Sequence, residues 1–179
     1  GHRPDATRLN DVLFRDGKGW LPAKLLDVVG DEKQLDKAAR IVPQSLEHPA
    51  LELFKGAEPG GLCSAYFPRH WRLQVPADAT SGVAASLNDR LPLLVEKAVG
   101  KGRVLLSAVP LDNSWRTNLT ELGDFVRFAH ETVYYLAGGK SSEKNLQAGQ
   151  SIVFTPSDGE APGLVTVSPP EGAQAKIDA

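Results

Sequence analysis

Two apolar runs, Leu93-Leu94-Val95 and Val104-Leu105-Leu106, flank Gly100-Lys101-Gly102. Short runs of β-forming residues around a glycine-bearing turn specify a β-hairpin. The second arm, continued to Val109, is almost unbroken in apolar residues, which predicts a strand buried on both faces. A helix follows in the sequence. Over Thr120–Gly139, Leu122, Phe125, Val126, Ala129, Val133 and Leu136 recur at spacings of three and four and predict one apolar stripe. Asn118 or Thr120 is placed to cap its start, and Gly138-Gly139 to stop it.

The remaining elements are shorter. A turn signal at Asp16-Gly17-Lys18-Gly19 precedes Pro22, and Ala23–Val29 reads as helical up to Gly30. Pro43 and Pro49 limit Ile41–Phe54 to one or two helical turns near Ser45–Leu53. Leu62–Val75 is rich in β-formers and reads as a strand or two, interrupted at Pro68. Past residues 140–146 the pattern changes to short strands in "QSIVFTP" and "GLVTVSPPEG", the opening of a β-sandwich-like segment over 145–179. The expected fold is α/β over 1–140, followed by this β-rich piece.

Composition narrows the chemistry. A net charge of −2 with no Lys/Arg cluster gives no footprint for nucleic acid. The apolar runs are too short for direct membrane insertion. The single cysteine, Cys63, excludes an internal disulfide and multi-cysteine zinc sites, and the four histidines form no metal-binding pattern. No metal or other cofactor is expected. The chain has no methionine and opens Gly1-His2, which reads as an excised or processed fragment.

Three features invite a chemical role. "GKGR" lacks the spacing of a phosphate-binding loop and lies between two strands, so it reads as a hairpin turn. "GLCSA" around Cys63 partly echoes a nucleophile elbow, with His70 or His130 as candidate base, but loop residues precede it and strand formers follow. A free cysteine in such a setting is more often an inert buried hydrophobe. His130, at the edge of the helix stripe, reads as a packed or capping residue. The third feature is the strand tip "PLDNSW". Ligands of open α/β sheets bind beyond the carboxyl ends of strands, which makes Asp112, Asn113, Ser114 and Trp115 the candidate ligand- or partner-binding residues. The same residues are turn formers, so a purely local role stands beside the functional one.

The segment "LPLLVEKAVGKGRVLLSAVPLDNSW", followed by "FVRFAHETVYYLAGG", resembles the end of a class I glutamine amidotransferase-like domain. The closer resemblance is to the version found in large bacterial membrane proteins, common in planctomycetes. Those proteins have an aerotolerance-regulator (BatA-type) region and usually a von Willebrand factor A-like domain. "LNDVLFRDGKGWLPAKLLDVVG", "SLEHPALELF" and "YFPRHWRLQV" are similar to that group in the same order, and "NLQAGQSIVF" resembles the start of its next, β-rich domain. The resemblance implies a flavodoxin-like layered sheet, here lacking its N-terminal part. It also implies an extracytoplasmic (periplasmic) location in a membrane-anchored protein, with the cytoplasm as the alternative. Related sugar-metabolism proteins carry Gly-His-Asp at this strand tip. The matching positions here are Pro110-Leu111-Asp112, so only the aspartate is kept. The expectation is therefore a binding or scaffolding domain that has kept the fold and dropped the chemistry, its partner a protein or another domain of the same polypeptide. The alternative is a cysteine-dependent amidase or amidotransferase-like hydrolase using Cys63.

Overall fold

The structure is a computed structural model and describes residues 5–55, 61–77, 81–138, 165–167 and 175–177. The chain divides into two units, Gly1–Lys140 and Ser141–Ala179. The first is mixed α/β. Its elements are a short helix α1 (Ala6–Leu9), strands β1 (Lys24–Gly30), β2 (Ala39–Arg40), β3 (Tyr66–Phe67), β4 (Arg69–Gln74), β5 (Ser81–Ser86), β6 (Pro92–Val99) and β7 (Gly102–Ser107), and helix α2 (Asp124–Leu136). In the second unit, β8 (Val165–Val167) and β9 (Ala175–Ile177) pair antiparallel. The remainder of the expected β-sandwich-like segment, including "QSIVFTP", lies outside the described residues.

Every strand pairing among the described residues is antiparallel: β1 with β4, β2 with β3, and β5–β6–β7 in that order. The predicted hairpin is β6–β7. Its register runs from Leu94↔Ser107 to Val99↔Gly102, and Gly100 takes φ +59°, the left-handed turn conformation that glycine adopts at little cost. The strand buried on both faces, however, is β6 and not β7. Leu94 joins one core cluster and Val95 the other. β6 lies between β5 and β7 and so has neighbours on both edges, whereas Val104, Leu105 and Leu106 of β7 are only half-buried.

The two clusters lie on opposite sides of β6. One gathers Leu46, Leu51, Phe54, Leu62, Phe67, Leu94 and Phe128. The other gathers Ala23, Leu25, Leu73, Val95 and Ala108, with Leu9, Leu21 and Trp71 packed against them. The period-two alternation of a strand carries on to the next pair. Glu96 reaches Tyr135 of α2. Lys97, buried, donates from Nζ to the carbonyl of Gly17 and, at 2.9 Å, to that of Gly19. The turn at Asp16–Gly19 expected from sequence is thus pinned from beneath by a lysine of the central strand.

The segment expected to be helical over Ala23–Val29 is strand from Lys24 onward. Leu25 and Leu73 face each other in the β1–β4 register, and β1 carries an irregularity between Leu25 and Val28. The Asn10 side chain completes the edge there: its Nδ2 donates to Leu25 O at 2.8 Å and its Oδ1 accepts from Leu25 N at 3.0 Å. These tertiary partners override a weak local helical preference. At Gly30 the backbone has φ +93°, and a Cβ there would stand 2.0 Å from the carbonyl oxygen of Pro68, so β1 approaches β4 as closely as only glycine permits.

Helix α2 begins later than its stripe suggested, at Asp124 behind a short 3₁₀ turn Leu119–Glu121, with no side-chain cap at Gly123. Asn118 is used elsewhere, accepting from Tyr66 N at 2.9 Å. The buried face carries Phe128 and Tyr135, with Leu122 and Phe125 against the core. Val126 and Val133, assigned from spacing to the stripe, are 73% and 66% exposed. Two large aromatic rings fix the helix rotation, and the smaller valines are left outside. His130 is also outside, its ring stacked on Tyr134 with centroids 6.0 Å apart, so it is neither packed in the core nor a cap.

Candidate binding site at the strand tip

Past β7 the chain leaves Ala108 between two neighbours. Its N–H donates to Leu93 O at 2.8 Å, and its carbonyl accepts from Trp71 N at 2.8 Å. This brings β4 alongside the end of the hairpin and places the tip residues over β4. Asp112, Asn113 and Ser114 are exposed. Asp112 Oδ1 accepts from Ser114 N at 2.8 Å, closing a tight loop, and the Ser114 side chain first, its backbone N–H second, hold the Asp112 carboxyl below the ordinary carboxylate value.

Trp115 and Arg116 then adopt φ of +59° and +56°, two successive left-handed residues that are not glycine. Each costs roughly 1–2 kcal/mol and persists only where surrounding contacts over-determine it. Those contacts are visible. The Trp115 ring lies 6.5 Å from that of Trp71, and the Arg69 guanidinium stands over it at 5.3 Å. Arg69 in turn is held by Glu32, Nη1 to Oε1 at 2.9 Å. The loop is therefore anchored at its base by an aromatic–cation stack and open at its top.

The other sequence candidates fall elsewhere. Cys63 is buried in the core cluster with Leu62 and Phe67, on a 3₁₀ turn Gly61–Ser64 that leads into β3 rather than into a helix. Burial first, and the nearby Asp124 carboxylate second, push its thiol above the ordinary value, so it stays protonated at neutral pH. No hydrogen bond or ion pair among the described residues links Cys63 to His48, His70 or His130. His70, on β4, is 4% exposed. Its Nε2 lies 2.8 Å from Asp89 Oδ2, and neither ring nitrogen has another partner among the described residues. Burial holds the imidazole below its ordinary value, with Asp89 pulling back.

A polar cluster went unnoticed in the sequence. His48 Nε2 lies 2.5 Å from Glu96 Oε2, Tyr135 Oη donates to Glu96 Oε1 at 2.9 Å, and Arg103 donates to Tyr135 Oη. It superficially resembles an acid–base dyad. His48 Nδ1, however, accepts from Ala50 N at 3.2 Å, so both ring nitrogens are committed and none is left to take a proton from a substrate. The readable signal was Glu96, a carboxylate following Leu93-Leu94-Val95 in a buried strand, where it demands partners. Among the described residues no three His, Cys, Asp or Glu side chains converge as a metal site, and no helix is long and apolar enough to cross a membrane.

No protein-family model, curated protein or solved structure matches the chain.

Proposed function

We propose that the first unit is a binding or scaffolding domain without chemistry of its own, and that it contacts a protein, or another domain of the same polypeptide, through Asp112–Trp115. The observation that carries this reading is the construction of the tip. Three exposed polar residues are presented on a loop whose base is locked by the Trp71–Trp115–Arg69 stack at the expense of two left-handed residues. Rigid presentation lowers the entropy lost on binding, and strain of this kind concentrates at ligand clamps. The protonated, core-packed Cys63 supports the non-catalytic half of the reading.

The finer affiliation belongs to the same proposal: an amidotransferase-like layered domain from the extracytoplasmic part of a membrane-anchored bacterial protein. It is supported by the succession of hairpin, strand tip and helix. The antiparallel pairing of every described strand weighs against a flavodoxin-like sheet, which is largely parallel.

Cys63 offers the test. In the native protein its alkylation by iodoacetamide at neutral pH is expected to be slow and to become fast in urea, and Cys63→Ala is expected to bind whatever the wild type binds. Rapid native alkylation, together with a hydrolase activity abolished by Cys63→Ser, would overturn the proposal in favour of the cysteine-dependent enzyme.

A further inference from the structure

Beside the tip lies a cleft of about 350 Å³ lined by Gly30, Asp31, Glu32, Lys33, Arg69 and Arg116. Its lining carries three cations against two carboxylates, and only Glu32 is paired with one of them. Asp31 accepts from Lys33 N at 2.9 Å and from Gln34 Nε2 at 3.3 Å, and Glu32 holds Arg69. The other two cations have no such pairing. Lys33 has no carboxylate partner among the described residues, and Arg116 reaches only the Glu32 carbonyl, at 3.5 Å. Both are exposed. The left-handed turn at Trp115 and Arg116 carries this second guanidinium to the cleft that Arg69 already lines.

Resting on the binding role proposed above, we infer that the partner is an acidic protein segment, and that one of its carboxylates seats in this cleft against Arg116 and Lys33. The composition fits a protein contact: Arg116 follows Trp115 on the turn Ser114–Arg116, and arginine and tryptophan are among the residue types that dominate interface energetics. Arg116 supplies a planar fork matched to a carboxylate, and Lys33 a point charge. Asp112, the acidic residue of the loop, is not among the residues that line the cleft. A nucleic acid fits less well. The Trp115 ring is already taken by Arg69 and Trp71, which leaves it poorly placed to stack a base.

The experiment is a titration of the full chain, followed by tryptophan fluorescence, with four probes. These are a peptide of alternating glutamate and leucine, its glutamine counterpart, a lysine counterpart, and a short oligothymidylate. Trp115→Phe identifies the part of the signal arising at the tip. The glutamate peptide is expected to bind more tightly than the other three and to weaken with added salt. Arg116→Asn keeps a residue that tolerates the left-handed conformation and removes the charge, and Lys33→Ala removes the second charge. Each is expected to weaken the glutamate peptide about three- to fivefold, while Arg127→Ala on α2 leaves it unchanged. Equal binding of the glutamate and glutamine peptides, or an unchanged affinity in both charge variants, overturns the inference. Preference for the lysine peptide or the oligonucleotide overturns it too, but leaves the tip a binding site of different chemistry. Silence of all four probes at Trp115 counts against both.

Discussion

His70 is a buried imidazole with only the Asp89 carboxylate beside it among the described residues, and its titration leaves a mark on stability. Its ordinary value is 6.5, and burial holds the folded-state value lower. Below pH 6.5 the unfolded chain therefore binds a proton that the folded chain resists. The contribution is complete above that pH and is lost as the pH falls from 6.5 toward the folded value. Asp89 attenuates the loss without reversing it, because desolvation is the larger effect. Thermal melting followed from about pH 7.5 down to about pH 5 should show a steeper fall for the wild type than for His70→Gln. Identical slopes would mean that His70 is solvated or protonated in the fold.

Among the elements, α2 and β6 are joined by Tyr135 and Glu96 within the His48–Glu96–Tyr135–Arg103 cluster, and Phe128 and Leu94 belong to the same apolar core. The Tyr135 hydroxyl accepts from Arg103 and donates to Glu96, so Tyr135→Phe removes a shared partner while keeping the ring. The expected cost is about 1 kcal/mol in urea denaturation, and more if the Glu96 carboxylate cannot find water. A neutral substitution would show that the cluster contributes no net stability. The hairpin, the break at Pro68 and the left-handed stop at Gly138 (φ +72°) were legible because each rests on local rules of turn chemistry and periodicity. The identity of β1 was not. Lys24–Gly30 is strand because Asn10 and β4 supply its partners from distant sequence, and no local propensity encodes that. The same limit explains Val126 and Val133. Spacing gave the helix its period, but Phe128 and Tyr135 chose the face. At the site, Asp112–Trp115 stood out from its place after an apolar strand. Arg69, Arg116 and Glu32 did not, because only the fold brings residues this far apart in sequence to one cleft.

For the first unit as a whole, its half-buried and buried polar groups serve mainly to hold elements together, and on the binding role proposed above the exposed strand-tip loop is the part that meets a partner. Lys97 fastens the Asp16–Gly19 turn, Asn118 fastens β3, and Glu96 fastens α2. Such a division suits a scaffold that presents one edge. The direct measurement is site-specific photo-cross-linking in the cells that make the protein, with the reactive residue at Asn113 in one variant and at Arg127, exposed on α2, in another. A discrete adduct at Asn113 that is absent at Arg127 is the expected result. Adducts of equal yield at both positions, or at Arg127 alone, would contradict a contact through the strand tip.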